Sequence, residues 1–420
     1  MKKITTTISA VALGVISASA VAAPTEVTIW RHQTNAAEMN ASKAMVERFN
    51  ASQSEYKIIQ EAIPEGTYTQ TITAAAKAGK LPCVIELDQP LVPNFAWNGF
   101  LRPLEGFMSD ATLADINTSG KGTYNGKVYS VGQFDVALSL FTTKSLLKEV
   151  GARTPTAENP WTKDEFMAVL DKIKASGKYP YALDIEAGNT GEWVPYAWSP
   201  LMISWGADLI NRDNYVEADG TLNSDAAIEF GEWMRSLVTD GYVDRKPSDF
   251  DGFPAGRVAM QYTGSWAVGR FDAKFGDDLA ILPVPDFGTG PSIGGGSWHW
   301  AATNSCAHPE AASAFLNHVA SSEEIAATST ATSLIPTSEK AANLTDNYQE
   351  GGKWRGFYEF SGKFAKLRPE TPAYAVISSS YDKAMHDILD GKDPVEALDI
   401  AVDNIEAAIE KNDGYGFPMN

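Results

Sequence analysis

Val27-Thr28-Ile29-Trp30, Tyr56-Lys57-Ile58-Ile59 and Val84-Ile85-Glu86-Leu87 are three short apolar runs with the composition of strands. The residues between them read as helices. From Glu38 to Phe49, Met39, Val46 and Phe49 fall on one helical face. A second helix reads from Gly66 to Ala78 and is closed by Gly79. Strand and helix alternate, which predicts an α/β architecture with a largely parallel sheet.

The same grammar continues along the chain. Thr162-Lys-Asp-Glu165 is a capping box ahead of Phe166, Val169, Leu170 and Ile173, and Gly177 stands just past the end. Pro309 opens a helix carrying Ala312, Phe315, Leu316 and Val319, and Asp393-Pro394 opens another with Leu398, Ala401, Ile405, Ala408 and Ile409 on its inner face. Between them, Pro254-Ala255-Gly256 turns into Val258, Met260 and Tyr262, an alternation that predicts a strand with one buried face. That strand stops at Gly264, and Trp266 follows. A glycine lets a backbone come close and an indole offers a flat apolar face, so this end reads as a ligand platform. At 420 residues the chain exceeds what one hydrophobic core usually supports, and two lobes are expected. With no low-complexity linker, several short segments should cross between them.

Met1-Lys2-Lys3, the apolar stretch Ile4–Ala18 and Ala20-Val21-Ala22 form the pattern of a secretory signal peptide, with cleavage expected after Ala22 and no lipid anchor. The expected location is the periplasm. The formal charge is −19, and loss of Lys2 and Lys3 would take the mature chain to −21. Such a surface repels nucleic acid and anionic membranes. Cys83 and Cys306 could pair in an oxidising compartment, but two such cysteines make no disulfide framework, and buried free thiols are the expectation. The five histidines have no ligand spacing, and neither a metal nor a cofactor is expected.

Taken in order, the segments resemble a known family. They are Trp30-Arg31-His32; Ala78-Gly-Lys-Leu-Pro-Cys83-Val84; Asn98-Gly-Phe-Leu-Arg-Pro-Leu104; Gly126-Lys-Val-Tyr129 leading into Val136–Lys144; Pro160–Phe166; Phe253–Trp266; Gly294–Trp298; His308–Ala312 with Phe315-Leu316; Arg368-Pro-Glu-Thr-Pro-Ala-Tyr374; and Leu389-Asp-Gly-Lys392. Together they resemble the extracellular solute-binding proteins of ABC importers, specifically the sugar-binding family that includes maltose-binding protein. Two positions depart from that pattern: Cys83, where Asp is usual, and Thr142-Thr143, where a Tyr-Asn pair is common. The resemblance implies a periplasmic-binding-protein-like fold, two α/β lobes joined by a three-segment hinge with the ligand cleft between them. The crossings would lie near Phe134–Leu138, Ser297–Ala301 and Leu334–Pro336. Lobe 1 would hold residues 23–135 and 300–335, lobe 2 residues 136–299 and 336–420. It also implies a binding protein that is not an enzyme, a monomer with a carbohydrate ligand, and importer permease subunits as partners. A secreted carbohydrate-active enzyme, or the same fold with an anion or peptide, is the alternative; Arg31 and Arg368 leave an acidic sugar open.

A sugar stacks its C–H faces on aromatic rings and directs its hydroxyls at oriented donors and acceptors. The candidates therefore sit where strands end at the expected cleft. Arg31, His32 and Gln33 end the first strand, Glu65 and Tyr68 follow the second, and Asp88 and Gln89 end the third. Asp135 lies at the first crossing, and Trp193 follows the loop Gly188–Glu192. Gly264 and Trp266 match the family's stacking position in lobe 2. Trp298 and His299 follow three glycines, and Arg368 and Tyr374 belong to an extended, proline-fixed loop.

Overall fold

In the computed structural model, the residues described are Met1 and 23–419. Residues 2–22, where a signal peptide and its cleavage site are expected, lie outside the described residues. The three N-terminal runs become strands Thr25–Gln33 (β1), Tyr56–Pro64 (β2) and Val84–Asp88 (β3). Helices Ala36–Ser52 and Glu65–Lys77 connect them. Further strands are Lys121–Tyr124 (β4), Lys127–Val131 (β5), Phe134–Asp135 (β6), Leu138–Thr143 (β7), Tyr181–Asp184 (β8) and Val258–Gly264 (β9). Leu279–Leu282 (β10), Ile293–Gly294 (β11), Trp298–Ala302 (β12), Ile335–Pro336 (β13) and Ala365–Lys366 (β14) complete the set.

Two sheets carry the two lobes. The first has the order β2-β1-β3-β12-β5-β4 and the second β10-β7-β9-β8. A largely parallel sheet was expected, and both are mixed instead. β1 pairs in parallel with β2 and β3, but β12 enters antiparallel to β3, with Trp298 opposite Asp88. The cause is topological: β12 returns from the second lobe and so runs against the strands the chain left behind. In the second sheet β7 lies antiparallel to both neighbours, and only β8 and β9 are parallel.

Each sheet is covered on both faces. In the first lobe Ile29, Phe49, Trp300 and Phe315 pack on one side, and Ile72, Ile85, Phe95 and Ala301 on the other. In the second lobe the helix Tyr374–Leu389 packs on Pro394–Lys411 and Asp225–Thr239, building one continuous core with β7 and β9. β9 consequently buries both faces rather than one, Ala259, Gln261 and Thr263 included. The local signals act as read. The Thr162 hydroxyl accepts from the Glu165 amide (3.2 Å), the Glu165 carboxylate accepts from the Thr162 amide (3.0 Å), and Gly177 ends that helix at φ 64°.

One expectation is overturned. Cys83 and Cys306 form a disulfide, tying the start of β3 to the loop after β12. The antiparallel pairing of those two strands brings the cysteines within reach of each other despite their distance in sequence.

Three segments pass between the lobes, and they are joined to one another. β6 and β13 pair antiparallel, Asp135 opposite Ile335. The Asp135 carboxylate accepts from its neighbour's amide, Val136 N (2.8 Å), and from Gly296 N in another crossing (3.1 Å), and it is bonded by the Ser361 hydroxyl.

Candidate functional site

A cavity of about 400 Å³ opens between the two sheets. Its first wall comes from the C-terminal ends of β1, β2 and β3 with the start of β12: His32, Thr34, Asn35, Glu38, Glu65, Asp88 and Trp298. The second wall is Glu192, Trp193, Tyr196, Trp266 and Arg368. Its floor is made by all three crossings, through Phe134 and Val136, Gly296 and Ser297, and Leu334. Strand ends collect side chains here because a strand's last residues carry no further ladder and are free to face the gap.

The first wall is held rigidly from behind. Arg31 and His32 turn inward at the end of β1 and share the buried Glu86 carboxylate, at 3.4 Å and 2.8 Å. Burial pushes the Glu86 carboxyl up, but Arg31 and His32 more than offset it and hold it below its ordinary range. His32 stacks on Trp298, with ring centroids 3.8 Å apart and planes 16° apart. Tyr68 meets the same indole edge-on at 5.8 Å and directs its hydroxyl at the Trp30 and Glu86 carbonyls.

The second wall is an aromatic corner. Trp266 leaves β9 where Gly264 ends it, and a Cβ on Gly264 would overlap its ring. It meets Trp193 (6.2 Å) and Tyr196 (6.3 Å) and remains 40% exposed, enough to present a face to a ligand. Arg368 closes the corner, 5.2 Å over the Tyr196 ring. Its two terminal nitrogens grip Asp88 at 2.8 and 2.9 Å, and one also reaches Glu192 at 2.6 Å. Because Asp88 ends a strand of the first lobe, this guanidinium spans the floor of the cleft. Burial alone would disfavour its charge, but Asp88 and Glu192 outweigh that. Glu192 also takes the Tyr374 and Ser378 hydroxyls, yet burial still holds its carboxyl above the usual range.

Of the residues expected from sequence, His32, Glu65, Asp88, Trp193, Trp266, Trp298 and Arg368 line the cavity. The others do not. Arg31 is buried behind His32 on Glu86, and Gln33 points out to solvent. Tyr68 and Tyr374 lie in the core and support Trp298 and Glu192. Gln89 is wholly buried next to Gly296, and Asp135 is spent on tying crossings together. Gly264 makes room for the Trp266 ring rather than for a ligand. His299 is buried, donating from Nε2 to the Ser119 carbonyl (3.2 Å) and accepting from the Ser130 hydroxyl (3.1 Å), and burial pushes its imidazole down to about 3. Sequence reasoning passed over Glu38, Glu192 and Tyr196. The Gly188–Glu192 loop was the available signal for Glu192, and Asn35, which caps the first helix by accepting from Glu38 N (3.1 Å), was the signal for Glu38.

The model of a family described as bacterial extracellular solute-binding proteins matches residues 44–355. The sn-glycerol-3-phosphate-binding periplasmic protein UgpB of Escherichia coli is 24% identical over 390 residues, 86% of this chain and 83% of that protein. A protein of Brucella abortus named as a binding protein is 23% identical over 247 residues, 56% of this chain, and the match spans only 57% of that relative's length. Among solved structures, the cyclic alpha-maltosyl-1,6-maltose binding protein from Arthrobacter globiformis is similar at TM-score 0.76 and 26% identity. The likeness covers 92% of this chain and 100% of that one.

Proposed function

Because the chain belongs to the family of bacterial extracellular solute-binding proteins, we propose that its solute is a carbohydrate, captured between the lobes and passed to the membrane subunits of an ABC importer. One observation carries this reading. Indoles from both lobes, Trp298 on one side and Trp193 and Trp266 on the other, face a cavity whose walls also carry the carboxylates of Glu38, Glu65, Asp88 and Glu192, the Asn35 amide and the Thr34 hydroxyl, with all three crossings as its floor. Rings of that kind suit the C–H faces of a sugar, and oriented polar groups suit its hydroxyls. A cavity of about 400 Å³ holds one or two sugar rings rather than a long chain.

Capture needs no bond to be made or broken. The lobes open and close about the crossings, and a ligand that touches both walls stabilises the closed form by its extra contacts there. Hydroxyls that match the wall are favoured, because a mismatch leaves a desolvated polar group without a partner. The division into residues 23–135 and 300–335 against 136–299 and 336–420 remains our assignment, extended so that all of β12 moves with lobe 1. The protein is proposed to act as a periplasmic monomer.

A phosphate ester is the second reading, favoured by the name of the Escherichia coli relative. Thermal unfolding of refolded, ligand-free protein against a panel of sugars, polyols, phosphate esters and peptides decides between them. A ligand at 100 times its Kd adds about 2.7 kcal/mol to stability. A response confined to sugars supports the proposal, and a response confined to phosphate esters or peptides refutes it.

A further inference from the structure

The cleft holds more carboxylates than its cations balance. Glu38, Glu65, Asp88 and Glu192 all line it, against one guanidinium, that of Arg368. That guanidinium is already committed, its terminal nitrogens engaged by Asp88 and Glu192. Arg31, the other cation nearby, is buried off the cleft on Glu86. Among the described residues no lysine lines the cavity. Glu38 and Glu65 take part in no salt bridge among the described residues; Glu38 has the Asn35 amide as its side-chain partner at 2.5 Å.

Resting on the carbohydrate reading above, we infer that the natural solute carries a positive charge: an amino sugar with a free ammonium group, held between the Glu38 and Glu65 carboxylates of the first wall and the indoles of the second. An ammonium is attracted to a carboxylate and to the face of an indole alike, so both walls favour it. An anionic ligand is opposed, since it would meet the carboxylates of Glu38 and Glu65 and find the one guanidinium of the cleft already engaged. A second, independent sign that the site is built for a polar ligand is Tyr196. It lines the same cleft and is only 7% exposed, and its hydroxyl has no hydrogen-bond partner among the described residues. Burial also holds the Glu38 carboxyl above its ordinary value, a strain that a bound cation relieves.

The test is isothermal calorimetry on refolded, ligand-free protein with six probes. They are glucosamine and its β-1,4-linked dimer, the N-acetylated form of each, glucuronate and sn-glycerol 3-phosphate. The free amines should bind at least tenfold more tightly than their N-acetylated forms and weaken as salt is raised, while the two anions give no heat. In Glu38→Gln/Glu65→Gln, checked for an unchanged unfolding temperature, the ratio between amine and N-acetyl forms should fall toward one. Equal affinity for amine and N-acetyl forms would overturn the charge inference and leave the carbohydrate reading standing. Binding of the phosphate ester or glucuronate in preference to the amines would overturn it as well. Silence from all five sugar probes, with binding of glycerol phosphate, would overturn both.

Discussion

Replacing Arg368 by methionine removes the guanidinium that spans the floor of the cleft and leaves Asp88 and Glu192 facing each other. Arg368 is 4% exposed at its side chain, Asp88 14% and Glu192 37%. Breaking a buried pair by deleting one partner typically costs about 3–5 kcal/mol. Water reaches Glu192, so the lower end, about 3 kcal/mol, is expected here. With an unfolding entropy of about 2.1 cal/mol/K per residue over roughly 400 residues, that corresponds to a fall of about 3–4 °C in Tm. The deficit should depend on pH. Burial already holds the Glu192 carboxyl above its ordinary value, and loss of the guanidinium that pulls it down should raise it further. As pH falls from 7 toward 4 the folded variant binds protons before the unfolded chain does, so it regains stability relative to the parent. Scanning calorimetry at several pH values reads both effects. Adding Asp88→Asn and Glu192→Gln to the variant should recover most of the loss, because no unpaired charge is then left. A loss below 1 °C at pH 7, or a deficit indifferent to pH, would refute the reasoning.

Three further expectations concern other parts of the molecule. The Cys83–Cys306 bond spans 223 residues, so replacing both by alanine should cost about 2–5 kcal/mol, and thiol titration of the denatured parent should find no free cysteine until a reductant is added. Gly264→Ala should displace the Trp266 ring and weaken ligand binding about three- to tenfold, read by calorimetry, with secondary structure unchanged by circular dichroism. His299 titrates at about 3 when folded and near 6.5 when unfolded, so the unfolded state takes up its proton first and stability is lost as pH drops through that window. His299→Gln should remove about 1.4 kcal/mol of that loss for each pH unit below 6.5, and an identical pH slope in parent and variant would count against this.

The alternation of strands and helices was legible because each element announces itself locally, by periodicity, by a cap or by a glycine. The capping box at Thr162 and Glu165 is such a case. Sheet direction was not legible, because β12 lies more than 200 residues beyond its neighbour β3 and nothing local says from which side it enters. The same long-range pairing concealed the disulfide. In the site, aromatic residues at strand ends were found because few residues can serve as a stacking face. Arg31, Gln89 and His299 were equally conspicuous in sequence yet point into the protein. A strand's end fixes position but not direction, and one residue along β12 separates Trp298 in the cleft from His299 in the interior. Glu192 escaped notice because its role depends on Arg368, some 176 residues away.

The place of β12 within the first sheet also sets a timetable. The sheet's middle position, between β3 and β5, is filled only by residues 298–302. Until some three hundred residues have emerged from a ribosome or a translocation channel, β1, β2 and β3 have no partner on their inner edge. The second sheet needs nothing later than β10, at residue 282, to complete its strand set. Contacts so distant in sequence form slowly. A chain threaded N-terminus first therefore keeps its leading third unfinished for most of its passage, and its first sheet can close only once every strand of the second has been delivered.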